Sequence, residues 1–117
     1  MRILIVDDSP DMLMMTKHHT VKFFGESAVI DEAGDGDEGL RMGLENKYDL
    51  IITDYVMPNL NGEDMAIILR DRGSTIPIIL VSSDLQQVKD PLNFDDLLLK
   101  SDLCKLPEVF SFLMGDL

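Results

Sequence analysis

Five side chains able to do chemistry follow directly on apolar runs: Asp7 and Asp8 after "ILIV", Asp54 after "LIIT", Ser82 after "IILV" and Lys100 after "LLL". Carboxylates about 4 Å apart repel by roughly 4 kcal/mol at an effective dielectric near 20. Each also raises the pKa of the others unless a cation intervenes. Magnesium (or manganese) suits such a set, because it is hard, prefers oxygen, and takes one or two carboxylates with waters and phosphate oxygens. A divalent ion against three carboxylates leaves one negative charge, which Lys100 would neutralise. A carboxylate beside such an ion can attack a phosphoryl donor and form an aspartyl phosphate. The lysine and the hydroxyl would then stabilise charge on the transferring group. In that chemistry Asp54 is the expected nucleophile, Asp8 the direct metal ligand, and Asp7 its support, directly or through water. The loop "DYVMPNLNG" offers a backbone carbonyl near Asp54 as a further oxygen ligand.

Each feature alone has a plainer account. Asp7-Asp8 before Ser9-Pro10 also reads as a strand end leading into a helix cap. "TDYVMPNLNG" also reads as a loop punctuated by proline and glycine. What outweighs these accounts is one such feature after each of four strand-like runs. The runs lie at Ile3–Val6, Ala28–Ile30, Leu50–Thr53, Ile76–Ser82 and Leu97–Leu99, with helical signals between them.

A first helix is expected from Ser9-Pro10 through Phe24, stopped by Gly25. A second spans about Gly36 to Glu45, with Leu40 and Leu44 on one face. A third spans about Gly62 to Arg72, burying Met65, Ile68 and Leu69 and ending at Gly73. "DLQQVKDP" allows a short fourth helix of about two turns before Pro91. The last helix starts at Pro107 and buries Phe110, Leu113 and Met114. Alternating strands and helices imply an α/β fold: a doubly wound, five-stranded parallel sheet with helices on both faces. The expected order is 2-1-3-4-5, flavodoxin-like, with the ligand site where the order reverses between strands 1 and 3. That would bring Asp7, Asp8 and Asp54 together.

The 117 residues fit one domain, and the apolar share of 45% with 27% charged residues is that of an ordinary globule. A formal net charge of −12 with no basic run argues against direct nucleic-acid binding, which depends on cations at phosphates. No apolar stretch approaches the roughly 20 residues that span a bilayer. The single Cys104 excludes an internal disulfide and a cysteine-built zinc site, which suits a reducing compartment. A cytoplasmic protein with no membrane contact is the expectation.

Taken together, "ILIVDDS", "DLIITDYVMPNLNG", "IPIILVSS" and "LLLKS" resemble the motifs of receiver domains of two-component response regulators. The likeness runs over essentially the whole chain, so residues 1–117 read as a single receiver domain without an effector domain, similar to stand-alone chemotaxis and sporulation regulators. It implies that Asp54 accepts a phosphoryl group from the phosphohistidine of a sensor histidine kinase or phosphotransfer protein. It implies magnesium held by Asp8, Asp54 and the backbone carbonyl of Val56, with Asp7 supporting. Ser82 matches the family's switch hydroxyl, and Lys100 its lysine. Output would pass to a downstream protein target, from a monomer or weak dimer, and without turnover of a substrate.

Three departures stand out. Ser101 follows the lysine where proline is usual, Leu97 takes the place of an aromatic residue, and the stretch from Ser82 to Lys100 is short. They leave open a receiver-like docking module whose output does not depend on phosphorylation, or one that switches atypically. A small phosphatase using Asp54 is disfavoured, because Val56 stands where a general acid two residues on would be needed.

Other groups read as structure. His18 and His19 diverge by about 100° on a helix and are expected in solvent. Met12, Met14 and Met15 are expected to pack on the sheet. Asp35-Gly36-Asp37-Glu38 lacks the register of a calcium loop and reads as an acidic helix start. Cys104 is expected as a small hydrophobe near a helix start.

Overall fold

The three most apolar runs form the inside of a parallel sheet in the computed structural model, which describes residues 1–115. The strands are β1 (Arg2–Val6), β2 (Val29–Ala33), β3 (Leu50–Asp54), β4 (Ile78–Ser82) and β5 (Asp96–Leu99). They pair in the order β2-β1-β3-β4-β5, as expected. Helices α1 (Pro10–Phe24), α2 (Gly36–Glu45), α3 (Gly62–Asp71) and α4 (Leu106–Met114) flank the sheet.

Strand alternation splits the apolar side chains into two cores. Leu4, Val6, Ile51, Ile78 and Leu80 face Met65 and Leu69 of α3. Ile3, Ile5, Leu50, Ile52, Ile79 and Val81 face Leu13 and Phe24 of α1 and Val109 and Phe110 of α4. Both faces are covered, which is why β1, β3 and β4 tolerate no polar alternation. On the second face Phe23, Phe24 and Phe110 stack within 4.8–5.3 Å of one another.

The helix ends follow the caps. Ser9 accepts from the Met12 amide at 3.3 Å, with Pro10 opening α1. Asp35 caps α2 and Asn61 caps α3 through amides three residues on. Gly73, at φ 87°, follows the α3 cap residue Arg72.

Several expectations are corrected. β2 runs from Val29 to Ala33 instead of starting at Ala28, and as an edge strand it is only partly buried. Of the Leu40–Leu44 pair on α2, Leu40 packs partly buried against the core but Leu44 is exposed, and the fully buried positions are Gly36, Gly39 and Gly43. A Cβ on Gly39 would lie 2.8 Å from Val6 Cγ1 and 2.9 Å from Met65 Sδ, so α2 sits too close to β1 and α3 for a side chain there. Ile68 is only half-buried, while Met65 and Leu69 are fully buried. The fourth helix shrinks to 3₁₀ turns at Leu85–Gln87 and Pro91–Asn93, leaving β4 and β5 joined without an α-helix. Met14 and Met15 are exposed, and only Met12 packs against the core. Cys104 is exposed on a 3₁₀ segment, Lys100–Lys105. Leu113 and Met114 are partly buried, and the fully buried residues of α4 are Leu106 and Phe110.

Candidate functional site

Sheet register sets the site. Val6 pairs with Thr53, and Asp54 with Val81, so Asp7 and Asp54 follow neighbouring positions at the carboxyl edge. Ser82 pairs with Leu99, which places Lys100 one residue past the end of β5. Asp7, Asp8 and Asp54 each present an oxygen, all within 4.8 Å of one another. Asp7 and Asp54 are each 5% exposed, and Asp8 is exposed, so the cluster opens to solvent on the Asp8 side.

Every oxygen of the central carboxylate is engaged. Asp54 Oδ1 accepts from the Tyr55 amide at 2.7 Å, and Oδ2 from Lys100 Nζ at 3.0 Å. Asp7 Oδ1 accepts from the Ser9 amide at 2.9 Å. Burial nevertheless pushes the Asp7 carboxyl from 3.8 up to about 6, against the Ser9 hydrogen bond, with the negative charge of Asp54 adding to the rise. Three crowded carboxylates and one ammonium form an oxygen-rich pocket with uncompensated negative charge, which fits a hard divalent cation.

Gly62 holds the loop after β3 in place. Its amide donates to Tyr55 O at 2.8 Å. A Cβ at this position would collide with the Asp54 carbonyl oxygen. Val56 lies in the same loop with its side chain 60% exposed. Ser82 is buried at the edge, and its hydroxyl donates to Asp84 O at 3.1 Å and accepts from Asp84 N at 3.3 Å.

Two residues were overlooked in the sequence. Tyr55 is buried beside Asp54, and its phenol lies 3.1 Å from Gln87 O and 3.4 Å from Glu63 Oε1. Glu63 is a carboxylate only 2% exposed. It stands three residues before the buried Ala66, on the inward side of α3, and an acid at that register is the signal that could have found it. His18 and the half-buried His19 stack at 5.7 Å on α1 and border a shallow cleft with Met14 and Met15.

A family model described as the response regulator receiver domain matches residues 3–101. The chain is 35% identical over 80 residues to the uncharacterized transcriptional regulatory protein YcbL of Bacillus subtilis (strain 168), covering 68% of this chain and 34% of that one. It is 32% identical over 94 residues to the transcriptional regulatory protein ResD of the same organism, covering 80% and 38% respectively. The chain thus spans little more than a third of those two relatives. Among solved structures it resembles the response regulator protein TrrA from Thermotoga maritima in complex with Mg2+-BeF, with a TM-score of 0.84 and 30% identity over 96% of this chain and 97% of that one.

Proposed function

Because this chain belongs to the response regulator receiver domain family, we propose that it is a phosphorylatable signalling switch whose acceptor is Asp54. The observation that carries the reading is the Lys100 ammonium 3.0 Å from Asp54 Oδ2, beside carboxylates of Asp7 and Asp8 within 4.8 Å. An Asp54 oxygen attacks phosphorus, the new O–P bond forms as the P–N bond to a donor imidazole breaks, and the electron pair leaves on that nitrogen. Lys100 is placed to compensate the charge gathered on the phosphoryl oxygens, and Ser82 is the hydroxyl available to them. Magnesium would be held by Asp8, Asp54 and the Val56 carbonyl, with Asp7 supporting; when bound it supplies charge neutralisation at the phosphoryl group. The solved relative in complex with Mg2+-BeF supports this assignment. The donor is a histidine kinase or phosphotransfer protein, and the output is a protein contact.

Incubation with acetyl phosphate and magnesium, followed by intact-mass measurement, tests the reading. We expect a gain of one phosphoryl group, lost in Asp54→Asn. In Asp8→Ala we expect the gain to fall at least about tenfold with the circular dichroism unchanged. No gain in the wild type with either acetyl phosphate or a kinase defeats the reading. A gain without any conformational response favours a docking module instead.

A further inference from the structure

Glu63 has no part in the chemistry above, yet it is a carboxylate with 2% exposure and no ion-pair partner among the described residues. Burying a carboxylate is costly unless hydrogen bonds replace its water. Its donors are the backbone amides of Lys89, 3.0 Å from both oxygens, and Asp90, 2.8 Å from Oε2. All lie in the connection between β4 and β5. Tyr55 joins the same group, its phenol shared between Glu63 and Gln87 O. Burial, together with the Glu63 charge, pushes the pKa of the Tyr55 phenol above its ordinary value.

Two paths lead from this carboxylate, one to Asp54 and one to the Ser82 hydroxyl. One runs through Tyr55, whose amide holds Asp54 Oδ1. The other runs along the connection to Asp84, whose backbone engages the Ser82 hydroxyl. A hydroxyl bound to Asp84 must leave it to reach a phosphoryl oxygen. Up to Asp90 the connection has a single 3₁₀ turn, Leu85–Gln87, and Gln86, Gln87, Lys89 and Asp90 are exposed. Leu85 and Val88 pack against the core, and the far end is fixed by buried Phe94, by Arg70 donating to Asn93 O at 3.2 Å, and by Asp95, which pairs with Arg70 and accepts from Ile78 N at 2.7 Å.

We propose that Glu63 is a positioning residue for phosphorylation: it latches residues 87–90 in the arrangement that keeps Ser82 paired with Asp84, and the latch yields when Asp54 is phosphorylated. This rests on Asp54 being the acceptor. It puts the moving part at the junction of α3 with the β4–β5 connection instead of at residue 97.

The test compares wild type, Glu63→Gln, Ser82→Ala and the double variant by intact-mass time courses with acetyl phosphate and magnesium. Amide hydrogen exchange at Lys89 and Asp90 is followed in parallel. Glutamine keeps the size but turns an NH2 toward amide donors, so exchange at both amides should quicken. Phosphorylation should accelerate about tenfold, as expected when a minor competent state becomes populated. In the Ser82→Ala background that acceleration should vanish, an outcome a merely structural role of Glu63 does not produce. An unchanged or slower rate in Glu63→Gln with loosened amides overturns the latch, as does an acceleration that survives Ser82→Ala. If Glu63→Gln does not fold, Tyr55→Phe carries the test with the same expected sign, and an unchanged rate there overturns the proposal. Absence of any phosphoryl gain in wild type defeats the acceptor reading and the latch with it, which separates the two failures.

Discussion

At the scale of single residues, Asp7 shows what the site costs the fold. Its carboxyl is 5% exposed and titrates at about 6 instead of 3.8. Between those values the native state binds the proton and the unfolded chain does not, so stability falls as pH rises through that window. The loss is up to about 3 kcal/mol without a divalent cation. Asp7→Asn should therefore raise the thermal midpoint of the metal-free protein at pH 7.5 and leave it nearly unchanged at pH 4. A midpoint at pH 7.5 equal to that of wild type would remove burial as the source of the shift. The same side chain that weakens the empty fold is proposed to support the cation, so added magnesium should narrow the gap between the variant and wild type.

Among the elements, α2 gives the sharpest contrast between composition and packing. Gly36 opens the helix against the Leu60 backbone, where a Cβ would collide with the carbonyl oxygen and lie 2.7 Å from its carbon. Gly36→Ala should cost about 1–3 kcal/mol, read as a lowered urea midpoint, because backbone cannot move aside as a side chain can. Leu44→Lys, on the exposed side, should stay within about 0.5 kcal/mol in the same measurement. Apolar spacing found Leu40, which packs against the core, but missed the glycines beside it, since glycine carries no hydrophobic signal even when it marks the closest approach. The inner strands were legible because burial on both faces leaves only apolar runs. β2 was displaced because an edge strand carries Asp31 and Glu32 as readily as valine. Asp7, Asp8, Asp54 and Lys100 could be grouped from sequence once strand order was assumed, since each sits where an apolar run ends. Glu63 and Tyr55 were not, because apart from each other their side-chain partners are backbone groups of a connection whose path no side-chain pattern records.

Over the whole molecule, the carboxyl edge concentrates charge that the rest of the chain does little to offset. The net charge is −12, and Lys100 bonds the Asp54 carboxylate itself. A field of that sign gathers divalent cations at the pocket and turns anions away. On the proposed reading, an anionic donor diffusing freely must climb that field before any chemistry begins. Phosphorylation by acetyl phosphate at fixed, saturating magnesium should therefore quicken as sodium chloride raises the total ionic strength toward about 0.15 M, where the screening length falls to about 8 Å. A rate that falls with salt would contradict this. On that reading the excess negative charge of the whole molecule, which remains when the pocket itself is neutralised, acts as a filter on encounter. It disfavours phosphate esters wandering in from solution and leaves the advantage to a phosphoryl group carried in on a docked macromolecule, whose own contact surface supplies the energy of approach.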